Sequence, residues 1–135
     1  MGLCVYSEDE KAGFDIGYGN FAFCRMWIAD CLNAEAGEIY KKLYLQFSYK
    51  YSQGELNRMK KLFSEGARTF LYHCDCEGEL SAEECELIVR DLSKIELRPT
   101  ENMPPEAFNN HKKTWQSMFK AFEYAATHRV KLCFA

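Results

Sequence analysis

The chain has 135 residues, 47% hydrophobic, 15% aromatic and 27% charged, with 17 basic against 20 acidic side chains and a formal net charge of −3. That length suits a single domain, 1–135, and ten Phe, eight Tyr and two Trp exclude a largely disordered chain, because each ring can bury roughly 150–250 Å². The acidic balance excludes the strongly basic face of a typical nucleic-acid binder, and no run of about 18 apolar residues offers a membrane span.

The opening MGLCVYSEDEK has neither the basic stretch nor the apolar core of a secretory signal. The expectation is a cytoplasmic protein whose seven cysteines are reduced and mostly buried as small hydrophobes. Leu3–Tyr6 reads as a short strand, followed by the acidic turn Ser7-Glu8-Asp9-Glu10. Asn20 is a candidate N-cap for a helix from Phe21, where Cys24, Trp27, Ile28, Cys31 and Leu32 recur at three-and-four spacing. Ala34–Gly37 is expected to interrupt it. A second helix is expected from Glu38 to about Tyr51, with Tyr40, Leu43, Tyr44 and Phe47 on one side.

Ser52-Gln53-Gly54-Glu55 forms a capping box. The helix it starts turns Leu56, Met59, Leu62 and Phe63 inward and Arg58, Lys60 and Lys61 outward. Gly66 reads as a stop or kink, and Ala67–His73 is ambiguous between helix and strand. Ser81-Ala82-Glu83-Glu84 is a second capping box, opening a helix that buries Cys85, Ile88, Val89, Leu92 and Ile95 and ends at Arg98-Pro99. Pro105 starts the longest helix, running to about His128, with Phe108, His111, Trp115, Met118, Phe119, Phe122, Ala125 and Ala126 as its apolar stripe. Val130–Phe134 alternates as a closing strand. The fold class expected is α+β, mostly helical, with four or five helices and short N- and C-terminal strands that pair.

The densest chemistry lies in HCDCEGELSAEEC, from His73 to Cys85, which holds one imidazole, three thiols and five carboxylates. With Gly78 at the sixth position of a twelve-residue calcium loop, His73, Asp75, Glu77, Ser81 and Glu84 fall at positions 1, 3, 5, 9 and 12. The first position breaks the pattern, since calcium prefers a carboxylate oxygen to the imidazole nitrogen of His73. A zinc set of His73, Cys74, Cys76 and Cys85 suffers from the narrow Cys-x-Cys spacing. The simplest reading is structural: Glu77-Gly78 turns the chain, and Ser81 and Glu84 cap a helix whose positive end favours acidic neighbours.

The same string, with Met1-Gly2-Leu3 at the start and Asp15-Ile16-Gly17-Tyr18-Gly19 upstream, resembles a group of small uncharacterised proteins found in phages, prophages and bacteria. Start, middle and closing strand match in order. The group's commoner form is His-Ser-Asp-Cys-(Asp/Glu)-Gly, so this chain departs from it at Cys74. The resemblance brings no catalytic residue, cofactor or activity. What it implies is a phage-associated cytoplasmic accessory protein that acts on a host.

Other constellations are weaker. GFDIGYGNF before a helix resembles a phosphate-binding turn over Gly13–Asn20, but no Gly-Lys-Ser/Thr follows and Asp15 would repel an anion. His73, His111 and His128 are the available imidazoles, and Cys74 and Cys76 sit among carboxylates that disfavour a thiolate; no catalytic residue is assigned. Tyr44, Tyr49 and Tyr51 lie beside Lys41, Lys42 and Lys50, a composition suited to a protein interface. The favoured expectation is a small non-enzymatic interaction protein that binds a host protein through that face, as an anti-defence or anti-CRISPR-type inhibitor. One alternative is a divalent-cation (calcium or zinc) module on His73, Asp75, Glu77 and Glu84. The other is a nucleotide or small-ligand binder using Gly13–Asn20.

Overall fold

A computed structural model describes residues 2–45, 52–74 and 77–135 of the chain. Strand β1 (Gly2–Ser7) alternates as its sequence demands, burying Leu3, Val5 and Ser7 and exposing Cys4 and Tyr6. It pairs antiparallel with β2 (Gly13–Gly17), setting Leu3 opposite Ile16 and Val5 opposite Phe14. On its other side it pairs with β4 (Leu132–Phe134), Val5 opposite Phe134, so the first and last strands meet as expected. The acidic stretch read as a turn supplies a further strand, β3 (Gly78–Leu80), antiparallel to β4. The sheet order is β2-β1-β4-β3. β3 carries a single apolar residue, Leu80, so no period-two pattern registers, whereas Val130, Leu132 and Phe134 alternate at the chain's end; that is why sequence reading missed β3.

The β1–β2 turn is held by side chains. The Ser7 hydroxyl donates to Asp9 Oδ1 at 2.6 Å and accepts from the Lys11 and Ala12 amides. Tyr124 donates to Asp9 Oδ2 at 2.6 Å, tying the turn to the last helix.

Six helices are present among the described residues, one more than the upper expectation. Helix α1 (Tyr18–Leu32) starts three residues before Phe21; its N-cap is Gly17, with no side-chain cap, so Asn20 is not the cap. The break expected at Ala34–Gly37 is instead the first turn of α2 (Ala34–Leu45), where the Asn33 side chain accepts from the Ala36 amide at 3.0 Å. Gly37 permits that close reversal, because a Cβ there would sit 2.7 Å from the Asp30 Cα. The expected end of this helix near Tyr51 lies outside the described residues.

Helix α3 (Gln53–Leu62) has its Ser52–Glu55 capping box and buries Met59, but Leu56, expected inside, is 38% exposed. Gly66 does not stop a helix. It sits in the first turn of α4 (Glu65–Leu71), capped by Ser64, and resolves the ambiguous segment as helical. Helix α5 (Ala82–Leu92) has the second capping box and buries Cys85, Ile88 and Leu92. It ends before Ile95 and well before Arg98-Pro99, a shorter helix than expected. Beyond it the chain crosses to α1, where the Arg98 guanidinium donates to the Cys31 and Asp30 carbonyls at 3.2 and 3.0 Å. Those are orphan acceptors of the α1 C-terminus, where a cation is favoured. Helix α6 (Pro105–His128) closes at Arg129 in the left-handed region, φ 56°.

The core joins the sheet to α1, α4, α5 and α6. Phe70 is its hub, 5.4 Å from Trp115 and 5.6 Å from Phe122, while Phe21 reaches Phe134 of β4 at 6.4 Å. Full burial of each such ring contributes about 1.5–3 kcal/mol. That hub fixes the end of α4, where the histidine of the acidic stretch begins.

Candidate functional site

The last turn of α4 presents carbonyls with no helical partner. Two side chains from α1 and α2 satisfy them. Arg25, 1% exposed, donates through Nη1 to the Phe70 carbonyl at 3.2 Å and the His73 carbonyl at 2.6 Å, with its guanidinium 4.7 Å over the Phe21 ring. Tyr40 donates its hydroxyl to the Leu71 carbonyl at 2.9 Å. Sequence reading missed Arg25, because a charged residue inside an amphipathic pattern is normally assigned to its solvated edge. The one available signal was its place between the buried Cys24 and Trp27.

His73 is thus anchored through its main chain, and its ring packs on Phe134 at a centroid distance of 4.3 Å. Nδ1 lies 2.6 Å from the Cys74 carbonyl and Nε2 lies 3.1 Å from the Glu79 carbonyl. Both partners are carbonyl acceptors, so the single N–H of the neutral ring donates to one of them, and both ring nitrogens face main-chain oxygens rather than a neighbouring carboxylate or thiol. Gly78 turns the chain beneath the ring at φ 99°, a left-handed conformation that glycine adopts without strain.

The other predicted ion ligands have separate engagements. The Glu84 carboxylate accepts from the Ser81 amide at 3.0 Å, closing the capping box. Glu77 is exposed, and Asp75, like Cys76, lies outside the described residues. Cys74 is exposed, whereas Cys85 sits in the core, where burial first and the Glu84 charge second push its thiol up to about 12. Among the described residues no three His, Cys, Asp or Glu side chains converge as an ion cage.

Three other thiols share that upward shift. Burial raises Cys24 to about 12 and also raises Cys31. The hydrogen-bonded Asp15 carboxylate raises Cys4. A group shifted this way holds its proton at neutral pH and is a poor nucleophile. His111, on the inner side of α6, stacks against Trp27 at 5.8 Å, and burial holds it below its ordinary value. The two rings line a cavity of about 280 Å³ with Phe23, Met26, Asp30 and Met103.

Of the predicted interface, Lys41 pairs with Glu38 at 3.4 Å and Lys42 with Glu55 at 3.8 Å. Tyr49, Lys50 and Tyr51, and the side chain of Tyr44, lie outside the described residues. Adjoining that stretch in sequence, α3 and α4 present a groove of about 660 Å³ lined by Leu56, Lys60, Arg68 and Tyr72 among others. Leu56 and Tyr72, 38% and 47% exposed, are among the few large apolar side chains left at the surface among the described residues. The Gly13–Asn20 segment is β2 running into α1; with Lys113, Thr114 and Ser117 of α6 it lines a separate groove of about 630 Å³. No helix among the described residues is long and apolar enough to cross a membrane. No family model, no curated protein and no solved structure matches the chain.

Proposed function

We propose that the protein works by binding another protein through the face formed by α3 and α4, with the tyrosines that precede α3 in sequence contributing to binding. The observation that carries this reading is the placement of exposed Leu56 and Tyr72 along one groove with Lys60 and Arg68. Exposed aromatic and apolar anchors beside an arginine are enriched at interfaces relative to ordinary solvated surface, with charged residues such as Lys60 and Glu65 suited to the polar rim. The resemblance to phage-associated proteins supports a cytoplasmic host protein as the partner, and an inhibitor of host defence, of the anti-CRISPR kind, as the role.

The test is affinity capture from a bacterial lysate with matched variants. Wild-type protein retains a discrete partner, whereas Leu56→Asp/Tyr72→Ala and Tyr44→Ala/Tyr49→Ala/Tyr51→Ala lose it while keeping the wild-type melting temperature. A partner retained equally by both folded variants removes this face from the reading, and capture of nothing specific removes the reading itself.

A further inference from the structure

The two edges of the sheet are finished differently. The Cys4 amide donates to the Ala135 carbonyl, and the Cys4 carbonyl accepts from the Ala135 amide, both at 2.9 Å. Both main-chain groups of Cys4 therefore face β4. Asp15, opposite Cys4 on β2, consequently directs its own N–H and C=O away from the sheet, because facing groups alternate along an antiparallel ladder. β2 is the outermost strand on that side.

The same alternation applied at the far edge turns the Glu79 carbonyl of β3 outward, since Glu79 stands opposite Cys133, which faces Tyr6 of β1. That carbonyl is covered: it is the one His73 Nε2 approaches at 3.1 Å. β3 is also only three residues long. Short length and covered polar groups are the usual protections of an edge. β2 has neither. It runs five residues in unbroken register, contains no proline or lysine, and on its outer face, with Gly13 and Gly17 on either side, only Asp15 carries a side chain.

Alongside this open edge lies the groove of about 630 Å³ between β2 and α6. Phe14 and Ile16 share the inner face with Val5 and Leu3, packing half-buried against the core. Lys113 of α6 lines the groove and makes no ion pair among the described residues. A strand added to β2 would place one side chain on the outer face next to Asp15 and turn its two neighbours inward, over Phe14, Ile16 and Lys113. Charge complementarity then selects a basic residue opposite Asp15, with an apolar residue on one side and an acidic residue facing Lys113 on the other. A second copy of the chain fits poorly, because two-fold pairing along the whole strand sets Asp15 directly against Asp15.

We propose that β2 is an acceptor edge that takes an extended, mixed-charge segment of a partner protein as an additional strand, main-chain bonds supplying affinity and the α6 groove supplying selectivity. This surface is separate from the α3–α4 face and goes beyond the function proposed for it.

The probe is the capped peptide Thr-Val-Arg-Glu-Thr, read by amide hydrogen exchange on the full chain. At saturation the peptide slows exchange of the Asp15 amide by about tenfold. N-methylation of the peptide's arginine amide abolishes the effect, since that N–H must donate to the Asp15 carbonyl. Asp15→Pro also abolishes binding without removing a bond to β1, because the lost N–H faces outward. Asp15→Lys keeps the backbone intact and shifts preference to the peptide with glutamate in place of arginine, a readout that holds should the proline variant misfold. Leu56→Asp/Tyr72→Ala leaves the peptide effect unchanged, so failure of the α3–α4 face and failure of this edge are told apart. Absence of protection at saturating peptide, or equal protection by the N-methylated peptide, overturns the proposal.

Discussion

His73 is the residue whose chemistry is most altered by the fold. In sequence it opens a motif of metal-binding character; in the structure it is a clamp between Phe134 and two main-chain carbonyls. Its replacement by alanine removes the ring contact from the Glu79 carbonyl and a packed ring from the β4 surface. The expected cost of His73→Ala is about 1–3 kcal/mol, measured as a lower urea midpoint. A variant as stable as wild type would show that the ring contributes nothing to the sheet edge. The sequence could not reveal this role, because both acceptors are backbone groups and the stacking partner lies at the other end of the chain. Arg25 was illegible for a related reason: its ligands are the carbonyls of Phe70 and His73, which have no signature in residue type.

At the level of elements, local chemistry was legible and boundaries were not. Both capping boxes stand where Ser52–Glu55 and Ser81–Glu84 announced them, since a cap depends on residues three apart. The failures were glycines and short strands, whose meaning depends on what packs against them. Gly66 and Gly54 both lie in first turns of helices, yet their neighbourhoods are opposite. A Cβ on Gly66 would stand 2.2 Å from the Leu87 carbonyl and 2.7 Å from Asp91 Oδ2, whereas on Gly54 it would meet nothing closer than Ser52 Oγ at 3.8 Å. Gly54→Ala is therefore expected to stabilise the protein by about 0.5–1 kcal/mol, through the smaller entropy loss of alanine. Gly66→Ala is expected to destabilise it by about 1–3 kcal/mol, by prising α4 from α5. Thermal melts of the two variants check the opposite signs.

For the molecule as a whole, the α+β class and the pairing of first and last strands followed from the terminal alternation and the helical spacing between them. The strand order did not follow, because β3 carries a single apolar residue and no alternation, and its partner is chosen by tertiary packing. Global stability also has an acid-sensitive component. Asp91 is held at about 2 chiefly by Arg90, with the Gly66 amide and Ser64 hydroxyl adding hydrogen bonds. Asp9 is held at about 2 chiefly by the Ser7 and Tyr124 hydroxyls. Both lie below the ordinary 3.8, so the unfolded chain takes up these protons first on acidification. Their contribution is complete above about pH 4 and is lost as pH falls toward 2. Asp91→Asn should be less stable at neutral pH and should lose less stability between about pH 5 and pH 2.5. Urea midpoints at those two values measure the difference, and parallel losses in both proteins would contradict the assignment.

The seat of β4 between β1 and β3 has a consequence for biosynthesis. While a ribosome is still making the helices, the β1–β2 hairpin is a lone ribbon of two strands, and such ribbons are marginal in water. Residues 132–134 must emerge before that hairpin gains its second neighbour, and Phe134 must arrive before the His73 ring has a surface to rest on. The nascent polypeptide therefore waits for its late-translated segment. Folding of the sheet is expected to begin only once β4 has emerged and to proceed at a pace set by closing the long loop between β1 and β4.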